Sequence, residues 1–217
     1  MLLDCFDKLS TYRIVLASQS ENRQKILKQA GISNFEVSPS NFKEDLDKSL
    51  FTPLEYVIKT SEGKVKDKIE EMKSDLSNQD TRPILLITAD TIVTLEGEVF
   101  EKPESNDHAI SMIRRFSGKT HQALTSVWVT IISAEGKLLK QKNFTESTDV
   151  MFAELSESQI EAYVNSGEPF GKAGGYGIQG LGGSLIRRIT GCFYNVWGFP
   201  IHSFCVELRQ ILLEEAN

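Results

Sequence analysis

The run Ile84-Leu-Leu-Ile-Thr-Ala-Asp90 contains the clearest buried strand of the sequence. An uninterrupted series of branched apolar residues is typical of a strand covered on both faces, so Ile84–Thr88 is predicted to lie inside a sheet. Asp90 follows where the apolar run ends. A carboxylate in that place needs solvent, a partner or a metal ion to offset the cost of desolvation. A turn-forming aspartate with a surface hydrogen bond fits the position equally well.

Strand and helix patterns alternate on both sides of this run. Strands are predicted at Arg13–Ala17, Phe35–Ser38, Ile92–Leu95, Val99–Phe100, Gln122–Ser133 and Leu138–Phe152. Helices are predicted at Arg23–Ala30, from Pro53, at Ala109–Phe116, from Ser156 and at Ile201–Glu214. The interleaving predicts an α/β or α+β fold with a mixed sheet, in a single domain of residues 1–217. A small lobe set apart by the polar stretch Ser74–Arg82 remains the alternative.

Charge and composition narrow the class of function. The 217 residues carry a net charge of -6 without a dense block of lysine and arginine, which argues against a surface for duplex nucleic acid. The cysteines Cys5, Cys192 and Cys205 are too widely spaced for a CxxC metal site or a disulfide framework. Residues 1–8 lack the pattern of a secretory signal, and no apolar stretch reaches membrane-spanning length. A cytoplasmic protein is expected, although a nuclear one is not excluded.

A glycine-rich segment without acidic residues lies between Glu168 and Glu207 and contains Lys172, Arg187 and Arg188. Its Gly175-Tyr-Gly-Ile-Gln-Gly180 matches G-x-G-x-x-G, but the preceding strand and the following acidic residue of a dinucleotide-binding motif are missing. The segment is either a flexible loop or a loop that approaches a phosphate-bearing ligand closely. The three histidines lack the spacing of metal ligands, and His121 is predicted to be structural.

Several short motifs, spread in a fixed order over nearly the whole chain, match those of one protein family. They are Leu16-Ala-Ser-Gln-Ser20 followed by Arg23, Pro53-x-x-Tyr-Val57 with Lys64, Ala89-Asp-Thr91 followed by Lys102-Pro103, Gly167-Glu-Pro169, Lys172–Gly180, and Asn195-Val196 to Gly198-Phe-Pro200. Together they resemble the Maf family of nucleoside triphosphate pyrophosphatases. The resemblance implies an elongated mixed sheet flanked by helices, as in inosine triphosphate pyrophosphatase. It also implies a nucleotide cleft, dependence on Mg²⁺ or Mn²⁺, and a homodimer.

The resemblance further implies roles for individual residues. Asp90 matches the general base, and Glu44 matches an acidic cleft position. We expect the metal ion to bind through Glu44 or Asp90, so Asp90 acts either as the base or mainly as a metal ligand. Lys64 and Lys102 are expected to be catalytic together with Asp90. The positions implied to contact the nucleotide are Ser18, Arg23, Lys64, Lys102 and Lys172. Thr91 and Gln179 match positions of the branch that prefers dTTP and UTP. The implied reaction converts such a triphosphate to its monophosphate and pyrophosphate.

Two departures from the family pattern keep alternatives open. Glu21-Asn22 stands where the family has proline and arginine, so one expected cation near the phosphates is replaced by an uncharged amide. Cys192 and Trp197 also differ from the usual residues of the closing motif. The alternatives are a nucleotide-binding regulatory protein that has lost its chemistry, and a pyrophosphatase for purines such as ITP.

Overall fold

The computed structural model describes residues 2–74 and 80–213. Its strands are β1 (Arg13–Leu16), β2 (Glu36–Val37), β3 (Ile84–Leu95), β4 (Glu98–Phe100), β5 (Thr120–Ile132), β6 (Leu138–Phe152) and β7 (Ile186–Thr190). Its helices are α1 (Phe6–Leu9), α2 (Glu21–Gln29), α3 (Pro53–Ser74), α4 (Asn106–Phe116), α5 (Glu157–Asn165), α6 (Phe193–Val196) and α7 (Ile201–Leu213). Residues 75–79 of the polar stretch and the expected helix end at Glu214 lie outside the described residues.

The seven strands form one mixed sheet in the order β2-β1-β3-β5-β6-β7, with β4 paired to β3 beside that path. β1 is parallel to both β2 and β3, whereas β3, β5, β6 and β7 pair antiparallel in succession. The predicted mixed sheet flanked by helices is therefore confirmed. The sequence prediction did not include β7 or the short helices α1 and α6.

Strand β3 is longer than the apolar pattern predicts, and the expectation that Asp90 lies at a strand end is wrong. The strand continues to Leu95, because β5 pairs with it without interruption from Ile84 to Thr94. Asp90 itself lies opposite Ser126 of β5. Pairing with β5 thus keeps residues 88–91 in the strand, although their polar sequence Thr-Ala-Asp-Thr predicts that the strand ends there.

The opposite edge of β3 is interrupted. β1 pairs there with residues 84–87 and β4 with residues 93–95. Since β5 occupies the first edge, β1 and β4 share the second, and residues 88–92 have no strand partner on it among the described parts of the chain. The two strands therefore leave a gap in the sheet between them.

Helices cover both faces of the sheet. On one face, Val65 and Ile69 of α3 pack against Val15 and Leu86. On the other face, α2 and α7 cover the first half of β3, with a core that includes Ile26, Leu27, Leu85, Ile87, Phe204 and Leu208. Successive residues of a strand point to opposite faces, so Asp90 lies on the α3 face and Thr91 on the α2 face.

Local sequence signals account for the helix ends. Ser20 caps α2 by accepting a hydrogen bond from the Arg23 amide. Ser156 and Gln159 form the predicted capping box of α5. Gly63 is unusual, because it lies inside the 22-residue helix α3, where glycine costs about 1 kcal/mol relative to alanine.

The described residues contain no helix that is both apolar enough and long enough to cross a bilayer. The three cysteines are free, with Cys5 and Cys205 buried, as the spacing predicted. His202 lies in α7.

A second core at the β4 end of the sheet surrounds His121. Its imidazole stacks on Phe116 and its Nε2 lies 2.8 Å from the Tyr176 hydroxyl. The expected structural role of this histidine is confirmed. Burial lowers its pKa from 6.5 to about 3, because the charged imidazolium is poorly solvated there.

This shift predicts a pH dependence of stability. Below pH 6.5 His121 takes up a proton in the unfolded chain but stays neutral in the folded protein. The free energy of unfolding therefore has its full value above pH 6.5 and decreases as the pH falls towards 3. One such proton gives a slope of up to about 1.4 kcal/mol per pH unit. Denaturant unfolding between pH 7 and pH 4 should show a shallower slope for His121→Gln than for the wild type. Equal slopes for the two proteins would contradict this assignment.

Candidate active site

A cleft of about 1050 Å³ opens at the gap in the sheet. This volume lies at the upper end of the range of roughly 300–1000 Å³ that is usual for small-molecule pockets. Six segments line it: the loop and first turn after β1, residues 39, 40 and 44 of the loop before α3, Lys64 of α3, residues 89–93 of β3, residues 101–104, and the glycine-rich loop. Residues 196–198 complete its wall. Because the edge of β3 is open here, side chains from both faces of the sheet reach the same cleft.

On the α3 face, the Lys64 ammonium lies between two carboxylates. Its Nζ is 2.7 Å from Asp90 Oδ1 and 2.8 Å from Glu44 Oε1. The side chains of Lys64 and Asp90 are 12% and 9% exposed, whereas that of Glu44 is 44% exposed. The partners come from α3, β3 and the loop before α3, so three separate segments meet at one nitrogen. Sequence spacing alone gives no sign of this contact.

On the α2 face, the Arg23 guanidinium is buried and makes three hydrogen bonds. It donates to Ser18 Oγ (2.9 Å), to Thr91 Oγ1 (2.9 Å) and to the Gly198 carbonyl (3.1 Å). Burial lowers the pKa of this arginine, while the nearby charges of Asp90 and Glu44 oppose the shift. Arg23 therefore joins α2, β3 and the segment before α7, in addition to bordering the cleft.

Thr91 belongs to the same network. Its hydroxyl lies 3.0 Å from Thr125 Oγ1 and 3.3 Å from the Gly198 carbonyl, besides accepting from Arg23. The Thr91 hydroxyl, which the family resemblance associates with the choice of dTTP and UTP, is thus already hydrogen-bonded to other groups of the protein.

Lys102 differs from the other cations of the cleft. It is exposed, and among the described residues it has no hydrogen-bond or ion-pair partner. The neighbouring Glu101 is instead held by the Tyr56 hydroxyl at 2.8 Å and by Lys48 Nζ at 2.5 Å. Glu101 is therefore half-buried and bound on both carboxylate oxygens. Lys102 remains available for an anionic ligand.

The glycine-rich loop is fixed by one carboxylate that sequence reasoning assigned no role. Glu168 accepts hydrogen bonds from the amides of Leu181 (2.7 Å) and Gly182 (2.8 Å) and from the Tyr163 hydroxyl (3.2 Å). Gly180 lies so close that an added Cβ would be 2.4 Å from Glu168 Oε2. The glycines of this loop thus allow its backbone to pass close to the Glu168 carboxylate. The loop is therefore held in place by hydrogen bonds to Glu168.

The two substrate-binding residues expected on this loop both border the cleft. Lys172 Nζ donates to the Glu168 carbonyl at 2.5 Å. Gln179 donates to Asn22 Oδ1 at 3.4 Å, so the loop meets the start of α2 at the place where Asn22 replaces the family arginine. All the expected site residues, namely Ser18, Arg23, Glu44, Lys64, Asp90, Thr91, Lys102, Lys172 and Gln179, line this one cleft.

The carboxylate pair suits a divalent cation. Glu44 and Asp90 approach the same Lys64 nitrogen, so their oxygens border one small volume. Mg²⁺ commonly takes one or two protein carboxylates and completes its shell with water and substrate phosphates. Within residues 2–74 and 80–213, no group of three or more histidine, cysteine, aspartate or glutamate side chains is arranged to hold a metal ion. Glu44 and Asp90 are thus two carboxylates that could contribute ligands to a divalent ion in this cleft.

Comparison with known proteins agrees with this geometry. The model of the family described as Maf-like protein matches residues 13–211. A probable bifunctional dTTP/UTP pyrophosphatase/methyltransferase protein of Homo sapiens is 45% identical over 215 residues, which cover 97% of this chain and 34% of that relative. The chain thus spans about a third of that relative's length.

A dTTP/UTP pyrophosphatase of Chromobacterium violaceum is 40% identical over 202 residues, covering 93% of this chain and 96% of the relative. The crystal structure of a nucleoside-triphosphatase (dITP/XTP pyrophosphatase) from Mycobacterium abscessus covers 93% of this chain and 95% of its own, with a TM-score of 0.37 and 10% identity. That likeness is too slight to support a conclusion. The family match over residues 13–211 and the identity to curated members show that this chain belongs to the Maf family.

Proposed function

We propose that this protein hydrolyses dTTP or UTP between the α and β phosphates, releasing the nucleoside monophosphate and pyrophosphate. The observation that carries the proposal is Lys64 held between Asp90 and Glu44 in a cleft that also contains Lys102, which has no hydrogen-bond or ion-pair partner among the described residues. The names of the curated relatives support the choice of substrate.

Charge in the cleft favours a triphosphate accompanied by a cation. Among the described residues that line it, five carboxylates face five cationic side chains. The bound phosphates would therefore add negative charge to a balanced site, and we propose that Mg²⁺ or Mn²⁺ accompanies them at Glu44 and Asp90. A bound divalent ion of this kind neutralises phosphate charge and lowers the pKa of a coordinated water.

Lys102 and the first turn of α2 offer contacts for the phosphate chain. The Lys102 ammonium can pair with a phosphate oxygen without breaking an existing bond. The positive end of the α2 dipole opens at the cleft through Ser20, Glu21 and Asn22. Both features neutralise charge that grows on the leaving pyrophosphate.

Asp90 is placed to act on water. Lys64 binds its Oδ1, and Oδ2 has no protein partner within the described chain, so Oδ2 is the oxygen that accepts a hydrogen bond from the attacking water. Lys64 keeps the carboxylate oriented while this happens. As the water oxygen bonds in line to the α-phosphorus, its proton passes to Asp90 Oδ2. The bond from that phosphorus to the oxygen bridging the α and β phosphates breaks, and pyrophosphate leaves with that oxygen.

We further propose that the enzyme works as a homodimer in the cytoplasm. The family resemblance supports the dimer, and the free cysteines suit a reducing compartment.

The first prediction concerns Asp90→Asn. Loss of the carboxylate should lower kcat for dTTP and UTP by roughly a hundredfold or more, because positioned general bases typically contribute that much. Nucleotide affinity should change little. Pyrophosphate release with Mg²⁺ and with Mn²⁺ measures kcat, and calorimetry measures binding.

Asp149→Asn is the matched control, since Asp149 of β6 accepts a hydrogen bond from Gln122 of β5 and does not line the cleft. Near-normal turnover of Asp90→Asn at saturating metal would reject the proposed role. Wild-type turnover of ITP alone would move the substrate to purines. Tight binding of nucleotides without any wild-type turnover would instead favour a regulatory protein.

The second prediction concerns Lys102→Ala. Removing a charge-assisted contact to phosphate should raise the KM for triphosphates about tenfold to a hundredfold, since such a bond contributes roughly 1.5–3 kcal/mol. Steady-state kinetics with UTP test this, with Lys119→Ala as control because Lys119 pairs with Glu96 outside the cleft. An unchanged KM in Lys102→Ala would show that Lys102 does not bind the phosphate chain.

A further inference from the structure

Glu44 reaches the active site from a segment with little secondary structure of its own. Residues 38–52 form the connection between β2 and α3, and their regular structure is the single 3-10 turn Lys48–Leu50. A functional carboxylate needs a position defined to about half an ångström, and a loop gives this only when other contacts hold it. The contacts on either side of Glu44 therefore decide how it meets Lys64.

The first set of contacts joins the start of the loop to α3. Asp67 Oδ2 accepts hydrogen bonds from Ser40 Oγ at 2.6 Å and from the Asn41 amide at 2.9 Å. The Phe42 amide in turn donates to Ser40 Oγ at 3.0 Å. This arrangement docks residues 40–42 on the helix that carries Lys64.

The second contact is a ring against a glycine. An added Cβ at Gly63 would lie 2.3 Å from Cζ and 2.4 Å from Cε2 of Phe42, a separation that packed atoms do not adopt. The Phe42 ring therefore occupies the space that any other residue at position 63 would fill. This explains a glycine inside α3, where helix propensity favours alanine.

Sequence position makes this contact relevant to the site. Gly63 immediately precedes Lys64, and Phe42 lies two residues before Glu44. The ring thus sets the distance between the loop and the helix within two residues of the Lys64–Glu44 pair at 2.8 Å. Beyond Glu44, the pair of Lys48 with Glu101 at 2.5 Å holds the other end of the loop to the cleft wall.

We propose that Phe42 and Gly63 are positioning residues for the reaction: the ring seated on the glycine places Glu44 against Lys64 and Asp90. The inference rests on the proposed pyrophosphatase function, to which it adds two residues outside the cleft lining. The contact acts through shape, because neither residue carries a group that binds nucleotide or metal.

Gly63→Ala tests the proposal directly. The new methyl group should displace Phe42 and lower kcat about tenfold to a hundredfold, as expected for a small misplacement of a reacting group. The apparent affinity for Mn²⁺ should weaken in parallel. The melting temperature should stay close to that of the wild type, because alanine stabilises the helix while Phe42 loses packing. Lys66→Ala, an exposed change on the same helix, should leave all three quantities unchanged.

The second-site variant separates positioning from general damage. Phe42→Leu in the Gly63→Ala background makes room for the methyl group and should recover most of the lost kcat and Mn²⁺ affinity. Failure of this rescue with a normal melting temperature, or full activity of Gly63→Ala alone, would overturn the proposal.

Amide hydrogen exchange gives a readout that needs no turnover. The Asn41 and Phe42 amides should exchange faster in Gly63→Ala and slow again in the double variant, since both amides are hydrogen-bonded in the docked loop. An inactive wild type with this exchange pattern would reject the proposed function and leave the docking contact supported. Unchanged exchange in Gly63→Ala would reject the contact itself.

Discussion

The incomplete pairing of β3 is the constraint on which the rest of the site depends. β5 binds one edge of this strand from Ile84 to Thr94, whereas β1 and β4 divide the other edge and leave residues 88–92 between them. A fully paired strand would separate its two faces completely. Here the open edge allows Asp90 from one face and Thr91 from the other to border the same cleft.

Helix α3 supports the chemistry on one face of this gap. It carries Lys64, whose ammonium lies between Asp90 and Glu44, and it also carries Gly63 and Asp67, on which the Glu44 loop docks. The other face is held by Arg23, which ties Ser18, Thr91 and Gly198 together. Two sets of contacts thus meet at the gap, and Lys102 lies beside them as a cation without a partner in residues 2–74 and 80–213.

Local patterns predicted much of this structure. Caps and periodicity placed α2, α3 and α5, and alternation placed the β5–β6 pair, because these elements are specified by neighbours along the chain. The extent of β3 was not predictable, since its continuation past Asp90 depends on β5, which follows much later in the sequence. Likewise, the bonds of Glu168 to two backbone amides leave no periodic signal, although the motif containing Glu168 was recognised. The family resemblance named the cleft residues, but their ion pairs required the three-dimensional structure.

A crystal structure with Mg²⁺ and a UTP analogue whose α and β phosphates are joined through a methylene group would test the central claim most directly. The account predicts that the phosphate chain lies across the gap between β1 and β4, with the α-phosphate facing Asp90 and a phosphate oxygen bound to Lys102. A triphosphate bound away from residues 88–92, with the Asp90–Lys64–Glu44 contacts remote from every phosphorus atom, would contradict it.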